Sequence, residues 1–547
     1  MNEKRKYLAN LIFPNITKTI DDLKNEYPER NIEGKVTRFA PSPTGYMHLG
    51  GFYQAIIDYV ISKNTNGVFY LRNEDTDQKR EVEEAVELIM KTLRHYNINP
   101  DEYEYEGKIV GNYGPYIQSE RKEIYHTFIK YLIEIDRAYP CFCTKEELDE
   151  IREMQEAGKK RTGYYGRYAK CRRLSVDDMI KKIEDGVPYV IRFKSLGNEE
   201  IKFNFNDAVR GIIQLPTNDQ DIVIMKSDNK LPTYHFAHVV DDYLMHTTDV
   251  VRGEEWLPSV PIHIELFEAF GFTPPNYVHT PLIVKKEGNS VRKISKRKDP
   301  EASMSYYDEL GYPPLAVIES LMTIINSNYE EWHTANPDKS FIEFEFNPKK
   351  MSATGGALYD IEKLNNISKN IISKMKATEV YDDLLNWTSK YDLDFNKIIT
   401  NNKDYTINIL NIEREIEKPR KDYACYSEIK NKIWFMYDEL YNPTIYEWGN
   451  IQDKNQIKEI LDNYLDVYDI NDDKDTWFNK IKELCEKLGY ASNMKEYKAN
   501  PENFKGNVAD FTTVIRVALT SKKETPDLYE IIKLLGNDKI KERFNMI

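Results

Sequence analysis

The sequence has few cysteines and no long hydrophobic run. Its five cysteines are an odd number, scattered through a chain of 547 residues. This usage excludes a disulfide framework and fits a reducing compartment, so we expect a cytoplasmic protein. No stretch approaches the roughly eighteen apolar residues of a membrane-spanning helix, so we expect no membrane association.

Positive charge is also in deficit, with 90 Asp and Glu residues against 76 Lys and Arg and a formal net charge of -14. This balance does not suggest a nucleic-acid-binding protein, because phosphate contacts need clustered cations. It does not exclude one, since an acidic protein can carry a basic face, and repulsion elsewhere can help it release RNA. A chain of 547 residues is too long for a single core, and we expect about three to five domains.

The N-terminus begins with basic residues followed by a short apolar run, an order that is also found in signal peptides. The run from Tyr7 to Phe13 contains Asn10 and is followed by Pro14, so it is too short and too polar for a signal core. We expect residues 1–32 to form a helical extension in which an amphipathic helix packs on the body of the protein.

A turn rich in Pro and Gly joins a predicted strand to a predicted helix. The segment RFAPSPTGYMHLGG spans residues 38–51, after a strand at 35–39 and before a helix at 52–63. His48, Gly50 and Gly51 would then lie where helix N-terminal amides bind a phosphate. Taken alone, the tetrapeptide is weak evidence, because a satisfied histidine beside a helix cap is the more frequent explanation.

A basic loop about 245 residues further along the chain changes that interpretation. The segment KISKR contains Lys293, Lys296 and Arg297, mobile cations of the kind that stabilise a departing pyrophosphate. An isolated basic cluster of this length is more often a solvated surface run. The two segments together, in this order and spacing, predict a nucleotide site.

Five ordered segments of the sequence match one known enzyme family. They are RFAPSPTGYMHLGG, YLRNEDTD (70–77), LPTYHFAHVVDD (231–242), VVRGEEW (250–256) and KISKR. Together they resemble bacterial glutamyl-tRNA synthetases, which belong to the class I aminoacyl-tRNA synthetases. The resemblance covers roughly residues 33–547 and implies a cytoplasmic ligase of protein biosynthesis. Its activity would be the ATP-dependent attachment of L-glutamate to tRNA(Glu) through a glutamyl-adenylate, with release of AMP and diphosphate.

The expected fold is multidomain: a Rossmann-type α/β parallel-sheet catalytic domain with an α/β insertion, then an all-α C-terminal anticodon-binding domain. Alternating strand and helix patterns at 33–125 support the sheet, and a strand at 222–225 is expected to resume it. The insertion should overhang the ligand site, because connections leave such sheets at the carboxyl ends of strands. The predicted parts are a helical extension (1–32), a first catalytic half (33–125), an acceptor-stem-binding insertion (126–214), a second catalytic half with the KISKR loop (215–324), a helical stem-contact domain (325–385) and a helical anticodon-binding domain (386–547).

The sequence becomes helical in pattern after residue 325. Apolar residues at 429, 433, 436 and 440 follow one helix face, and Thr525 with Pro526 is typical of a helix start, with closure at Gly536. A purely structural helical bundle would have the same periodicity. The resemblance instead implies contact with the tRNA stem and anticodon.

A glutamate site needs cations for two carboxylates and an anion for one ammonium. The resemblance implies that the residues of the matched segments that bind glutamate are Arg38, Ser42, Glu74, Tyr234 and Arg252. In this set Glu74 would contact the ammonium, and the arginines would contact the carboxylates. His238, four residues after Tyr234, is a further candidate at a position where some relatives have another polar side chain. Each residue alone has a plainer explanation, since Arg and Glu near strand ends often form weak surface pairs.

The resemblance also assigns the nucleotide chemistry. His48 with Gly50 and Gly51 would hold ATP, accompanied by Mg²⁺, while Lys296 would stabilise the transition state with help from Lys293 and Arg297. The α-carboxylate of glutamate attacks the α-phosphorus of ATP, and the 3′-terminal ribose hydroxyl of tRNA then captures the acyl group. Such reactions depend on alignment and charge stabilisation more than on a protein nucleophile.

Three of the cysteines resemble the zinc knuckle in the acceptor-stem insertion of some relatives. They are Cys141, Cys143 and Cys171. A structural zinc takes four ligands, but Arg173 stands where relatives can carry histidine, and Tyr168 is nearby. A filled zinc site and a degraded one both remain open. We expect the two remaining cysteines to be core residues of the helical part.

Several related functions compete with this interpretation. A glutaminyl-tRNA synthetase usually has an acidic residue where Ser42 stands, a histidine where Gly51 stands and a β-barrel C-terminal domain. A paralogue that glutamylates a modified tRNA base lacks the anticodon domain, and a small-molecule adenylyltransferase needs no RNA-sized C-terminal region. A non-catalytic tRNA-binding relative would have no chemical requirement for His48 and Lys296. A relaxed enzyme that also charges tRNA(Gln) with glutamate stays open, and a monomer is expected.

Overall fold

The computed structural model describes residues 3–43, 45–77 and 84–547. It consists of two compact units, one formed by residues 1–306 with 318–360 and the other by 307–317 with 361–547. Met1 and Asn2 of the predicted extension, and Thr44 of the predicted turn, lie outside the described residues.

Up to residue 360 the chain alternates between helices and short strands. The helices are α1 (Glu3–Ile12), α2 (Ile20–Glu26), α3 (Leu49–Asn64), α4 (Ala85–His95), α5 (Lys122–Glu134), α6 (Lys145–Ala157), α7 (Val176–Glu184), α8 (Tyr234–Leu244), α9 (Val260–Phe270), α10 (Met304–Leu310), α11 (Pro314–Ile325) and α12 (Tyr329–Ala335). The strands are β1 (Val36–Phe39), β2 (Val68–Leu71), β3 (Tyr103–Tyr105), β4 (Lys108–Val110), β5 (Ala138–Cys141), β6 (Val190–Phe193), β7 (Lys202–Asp207), β8 (Gly211–Pro216), β9 (Val223–Met225), β10 (Asp249–Gly253), β11 (Asn276–Thr280), β12 (Ile283–Glu287), β13 (Ser290–Lys293) and β14 (Ala357–Leu358).

Parallel strands form the centre of the first unit. β1 pairs in parallel with β2, and β10 pairs in parallel with β11 so that Arg252 lies opposite His279. The two pairs adjoin where the backbone N–H of Thr248 donates to the Val36 carbonyl at 2.9 Å. Every residue of β1 and β10 is buried, as is typical of parallel strands covered on both faces. The predicted Rossmann-type parallel sheet is confirmed.

The strand predicted at 222–225 forms as β9 but does not resume the parallel sheet. It pairs antiparallel with β6, which in turn pairs antiparallel with β5. Ile224 and Met225 are buried in the same hydrophobic cluster as Ile191 and Phe193 of β6. A short apolar run fits either kind of sheet, so the sequence pattern could not distinguish them. The expectation of a parallel strand here was wrong, and the antiparallel sheet extends past residue 214.

The hairpin formed by β7 and β8 places the carboxylate of Asp207 beside β11 at the edge of the parallel sheet. Asp207 ends β7, and its Oδ1 accepts from the backbone N–H groups of Val209 (3.1 Å) and Arg210 (2.9 Å) in the turn. The turn closes at Gly211, whose φ of 70° favours glycine. The Ala208 backbone N–H donates to the Tyr277 carbonyl at 2.9 Å, which fixes the hairpin against β11.

The N-terminal helix packs on the body of the first unit, as predicted. Leu8 and Ala9 of α1 are fully buried. Arg5 pairs with Asp136 at 2.6 Å, and the ring of Phe13 lies 4.8 Å from that of His126 in α5. The apolar face of this short helix is therefore covered by neighbouring elements. Across the described ranges, no helix has both the length and the apolar character needed to cross a membrane.

The second unit is helical, which confirms the predicted all-α C-terminal region. Its core is built from the buried faces of α13 (Ile361–Lys374), α14 (Ala377–Tyr391), α15 (Leu393–Asn401), α16 (Lys403–Leu410), α17 (Ile429–Ile433), α18 (Lys454–Val467), α19 (Lys474–Leu488), α21 (Val508–Thr520) and α22 (Leu528–Phe544). The short helix α20 (Met494–Ala499) has no buried residue and lies outside this core.

Two predicted details of this unit are wrong. The apolar face expected to run from Ile429 to Leu440 belongs to a helix that ends at Ile433 and is followed by a 3₁₀ turn. The last helix is capped by Asp527 rather than Thr525, because the Asp527 side chain accepts from the Glu530 N–H at 3.2 Å. Gly536 breaks the helical dihedrals, as predicted, but a second helical segment continues to Phe544.

Candidate active site

A cavity of about 860 Å³ opens at the carboxyl ends of β1 and β10 in the first unit. Of the predicted site residues, all of which are described, those that line it are Arg38, Ser42, His48, Gly51, Glu74, Tyr234, Arg252 and Lys296. His238, Gly50, Lys293 and Arg297 do not line it. The structure thus brings together groups from segments that lie more than 200 residues apart in the sequence.

His48 caps the helix that begins at the floor of the cavity. Its Nδ1 accepts from the backbone N–H of Gly50 at 2.9 Å, so in the neutral ring the proton is on Nε2. Burial, together with the nearby charges of Lys296 and Lys293, lowers the pKa of His48 to about 4. A Cβ at Gly50 would lie only 3.2 Å from Nδ1, so this glycine leaves room for the cap. His48 is therefore a neutral donor at a helix N-terminus, where an anion is favoured.

The KISKR loop is built around one buried carboxylate. The two terminal nitrogens of the Arg292 guanidinium, Nη1 and Nη2, each donate to Asp299 at 2.7 Å, and the Ser295 backbone N–H donates to Asp299 at 2.8 Å. These hydrogen bonds, led by that of Arg292, lower the pKa of Asp299. Among the loop's predicted cations, Lys296 reaches the Pro/Gly turn and donates to the Tyr46 carbonyl at 2.9 Å.

Lys293 and Arg297 are exposed on the same loop without lining the cavity. In the described part of the chain, Lys293, Lys296 and Arg297 form no ion pair with a carboxylate. Burial lowers the pKa of Lys296. The loop therefore presents uncommitted positive charge beside His48.

A buried network of arginines and carboxylates lies behind the cavity. Asp242 accepts from Arg38 Nε at 3.2 Å and from Arg72 Nη1 at 2.7 Å, and Arg72 Nη2 donates to Glu74 at 2.9 Å. Burial alone would raise the pKa of Asp242, but the two guanidiniums hold it well below its usual range. Burial raises the pKa of Glu74. Arg72 and Asp242 were missed from the sequence, although both stand inside matched segments.

His238 supports the cavity wall from behind. It is fully buried, and its ring nitrogens lie 2.5 Å from Asp242 and 2.9 Å from the Tyr277 hydroxyl. Its ring stacks on that of Tyr234 with a centroid distance of 5.8 Å. The predicted direct contact of His238 with a substrate in this cavity therefore has no geometric support, whereas Tyr234 itself lines the cavity.

Arg252 differs from Arg38 in its partners. Its Nε donates to His279 Nε2 at 3.0 Å and its Nη1 to His263 Nδ1 at 3.1 Å. Its guanidinium lies 4.5 Å over the Tyr277 ring. No carboxylate pairs with Arg252 in the described residues, and its Nη2 is buried there without a hydrogen-bond partner. The charge of Arg252 is thus available to an anionic ligand.

The three predicted thiols converge away from this cavity. The sulfur atoms of Cys141, Cys143 and Cys171 lie within 4.8 Å of one another, with 3.6 Å between the last two. Four ligands at the usual zinc–sulfur distance of about 2.3 Å would be roughly 3.7 Å apart, so the spacing fits a zinc ion.

The fourth position of this cluster is occupied by a residue that the sequence did not single out. The Tyr164 hydroxyl lies 3.4 Å from the sulfur of Cys141 and 3.2 Å from that of Cys143. The two residues considered from the sequence make other contacts: Arg173 donates to the Gly166 carbonyl, and the Tyr168 hydroxyl accepts from Arg167.

Comparison with known proteins agrees with this architecture. The family described as "tRNA synthetases class I (E and Q), catalytic domain" matches residues 35–380, and an anticodon binding domain family matches residues 403–547. The glutamate–tRNA ligase of Acetivibrio thermocellus is 47% identical over 545 residues, 99% of each chain. The glutamate–tRNA ligase of Sorangium cellulosum is 38% identical over 553 residues, and the match covers 96% of each chain. A crystal structure of a glutamate tRNA ligase from Elizabethkingia meningosepticum, in complex with its amino acid, matches 94% of this chain and 99% of that one with a TM-score of 0.75 and 28% identity.

Proposed function

The chain belongs to the class I tRNA synthetases of the glutamate and glutamine group, and from this membership we propose that it activates L-glutamate with ATP and transfers it to tRNA(Glu). It is an aminoacyl-tRNA synthetase whose relatives along the full length are glutamate–tRNA ligases. The observation that carries the proposal is one cavity lined by residues of both nucleotide motifs, by the buried carboxylate of Glu74 and by Arg252, which pairs with no carboxylate in the ranges that the structure describes.

Glutamate is proposed to bind between Arg252 and Glu74. Arg252 would receive one carboxylate, because no carboxylate among the described residues balances its charge. Glu74, oriented by Arg72 at 2.9 Å, would receive the ammonium. Arg38 would contact the second carboxylate, with Ser42 and Tyr234 completing the wall. Two arginines and one glutamate match the signs of charge that the amino acid presents.

ATP is proposed to enter as its Mg²⁺ complex, in which the ion offsets part of the phosphate charge. His48 would donate from Nε2 to a phosphate oxygen, and Gly51 would let the nucleotide approach the helix N-terminus. Lys296 would stabilise the charge that develops on the departing pyrophosphate, with Lys293 and Arg297 on the same loop adding to the local potential. The chain needs no covalent intermediate for this step, because alignment and charge carry it.

The remaining assignments follow from the family. We propose that residues 126–214 contact the acceptor stem, that residues 325–385 contact the stem and that residues 386–547 read the anticodon, in a cytoplasmic monomer. The match of residues 403–547 to an anticodon binding domain supports the last of these roles.

A structural zinc is proposed at Cys141, Cys143 and Cys171, with the oxygen of Tyr164 as the fourth ligand. Bound zinc would tie β5 to the segment around Cys171. Elemental analysis of protein purified without chelator is expected to give about one zinc per chain, and Cys143→Ser is expected to lower it. A stoichiometry near zero for the wild-type chain would contradict the site.

The function is tested by charging radiolabelled glutamate onto purified tRNA(Glu) and tRNA(Gln) separately, with glutamine as the control amino acid. Charging of tRNA(Glu) alone is the expected result and identifies a discriminating enzyme. Charging of both tRNAs with glutamate would identify a relaxed enzyme that depends on a later amidation step. Absence of glutamate charging on either tRNA would refute the proposal.

A further inference from the structure

We propose that Asp207 and His279 are positioning residues for Arg252: through a fixed imidazole tautomer they hold its guanidinium where it receives a carboxylate of glutamate. The inference rests on the proposed function, because it concerns how the glutamate site is kept in shape. Asp207 comes from the β7–β8 hairpin and His279 from β11, and neither stands in a segment that the sequence singled out. The two residues would act through Arg252 and would not touch the substrate.

A continuous chain of hydrogen bonds runs through Arg252. Asp207 Oδ2 lies 2.6 Å from His279 Nδ1, and His279 Nε2 lies 3.0 Å from Arg252 Nε. On the other side, Arg252 Nη1 lies 3.1 Å from His263 Nδ1, and His263 Nε2 lies 3.0 Å from His235 Nδ1. Asp207, His263 and His279 are almost fully buried. The guanidinium is therefore held by hydrogen bonds to buried imidazoles on two sides.

The protons in this chain can be placed without ambiguity. Arginine is only a donor, so His279 Nε2 must accept and the proton of His279 must be on Nδ1, where Asp207 accepts it. By the same argument His263 Nδ1 accepts from Arg252, and His263 Nε2 donates to His235. Each imidazole is neutral, because a protonated ring would turn a second N–H toward the guanidinium. Burial, the largest effect on each ring, lowers the pKa of both His279 and His263, in agreement with neutral rings.

Neutral partners hold a cation without neutralising it. Arg38 and Arg72 share the carboxylate of Asp242, so part of their charge is already balanced. Arg252 is oriented just as firmly but keeps its full charge for an incoming anion, and its buried Nη2 remains to be satisfied. An unpaired N–H in a buried site costs free energy until a ligand accepts from it. This difference makes Arg252 the residue whose orientation matters most for glutamate.

The hairpin turn determines what an isosteric change at Asp207 would do. Oδ1 of Asp207 accepts from the backbone N–H groups of Val209 and Arg210, whereas Oδ2 faces His279. In an Asp207→Asn variant, the amide oxygen must take the Oδ1 position, and the NH₂ group then faces His279 Nδ1. Because His279 Nδ1 must then accept from this NH₂ group, the proton of His279 moves to Nε2. The N–H of His279 Nε2 and the N–H of Arg252 Nε would then point at each other, and their hydrogen bond is lost.

The test compares D207N with the wild-type full chain in glutamate-dependent ATP–pyrophosphate exchange in the presence of tRNA(Glu). We expect the KM for glutamate to rise by about ten- to a hundredfold, the range for a lost hydrogen bond to a charged group. The KM for ATP should change less than about twofold, because the nucleotide motifs are untouched. N206A, an exposed change in the same hairpin, is the matched control and should leave both KM values unchanged.

A double variant separates positioning from a structural role. In H279Q the Gln carbonyl oxygen can take the place of Nε2 and accept from Arg252 without depending on Asp207. Adding D207N to H279Q should therefore raise the KM for glutamate much less than D207N does in the wild-type background. If the two changes multiply in their effect on KM, or if D207N raises the KM values for ATP and glutamate equally, the positioning role is refuted.

The same measurements distinguish a failure of this inference from a failure of the proposed function on which it rests. A wild-type chain without glutamate-dependent exchange would refute the proposed function and the inference together. An active wild-type chain with an unchanged KM for glutamate in D207N would refute the inference alone.

Discussion

The two arginines of the proposed glutamate site differ in how their charge is balanced. Arg38 is paired with Asp242, whose pKa is held down by Arg38 and Arg72, while Arg252 is held by two neutral imidazoles. Paired charges are favourable in a buried site only if both partners stay ionised and hydrogen-bonded. The first arrangement balances part of the charge of Arg38, and the second leaves the cation of Arg252 to a ligand.

Lys296 is the cation of the KISKR loop that reaches the cavity, through its contact with the Tyr46 carbonyl. Replacing Lys296 with Ala is expected to lower the rate of glutamate-dependent pyrophosphate exchange about a hundred- to a thousandfold, because the charge developing on pyrophosphate loses its stabilising donor. The affinity for tRNA, measured by filter binding, should stay nearly unchanged.

Lys298→Ala is the matched control, since Lys298 is an exposed lysine of the same loop that does not line the cavity. Its exchange rate should remain within about twofold of the wild-type value. A Lys296→Ala enzyme with normal exchange in the presence of tRNA would show that another group performs this role.

At the level of residues, the sequence identified the groups that line the cavity better than those that hold them in place. Arg38, Glu74 and Arg252 stand in recognisable segments and line the cavity. Their partners Asp207 and His279 could not be found this way, because only the folded chain brings a hairpin turn against β11. His238 was selected by its place in a motif, yet the helix turns it to the buried side beside Asp242.

The helix α3 illustrates how one side chain serves both an element and the site. His48 satisfies the Gly50 N–H at the start of α3, and it also lines the cavity. His48→Ala removes the cap and is expected to lower the free energy of unfolding by about 1 kcal/mol, whereas His48→Asn restores an accepting oxygen and should cost only a few tenths. Both variants should lose most of the exchange activity, because neither presents Nε2 to a phosphate.

Urea unfolding and pyrophosphate exchange, measured on the same preparations, check this separation. If His48→Asn retained wild-type exchange, then His48 would matter only as a helix cap. If His48→Ala unfolded at the same urea concentration as the wild-type protein, the cap would contribute nothing to stability.

Elements were predicted correctly where a local signal determines them, and incorrectly where tertiary packing does. β1 and α3 follow from the apolar run, the Pro/Gly turn and the helix pattern. The pairing of β9 depends on which apolar surface it meets, and a three-residue strand holds no information about that choice. At α22, both Thr525 and Asp527 are good caps, and the Asp527 contact with the Glu530 N–H decides where the helix begins.

At the scale of the molecule, histidines are concentrated where the protein holds its site in a single protonation state. The chain has 9 histidines, and those at or behind the cavity are His48, His235, His238, His263 and His279. Burial is the largest cause of the lowered pKa in every one of them. The fold therefore prefers neutral imidazoles at pH values where an unfolded chain would protonate them.

This preference makes stability fall as the pH is lowered. Each such histidine has a folded pKa below its ordinary value of 6.5, so the unfolded state binds more protons and is stabilised relative to the folded state as the pH drops below that value. For His235, with a pKa of about 4, the loss between pH 7 and pH 5.5 amounts to about 1 kcal/mol. The loss is absent well above pH 6.5 and grows as the pH falls toward 4. His235→Asn keeps an acceptor for His263 but cannot titrate, so urea titrations at the two pH values should give a decrease smaller by about 1 kcal/mol than in the wild-type chain. Equal decreases in both proteins would mean that His235 takes up its proton as readily in the folded state as in the unfolded one, and that the chain through Arg252 does not depend on neutral rings.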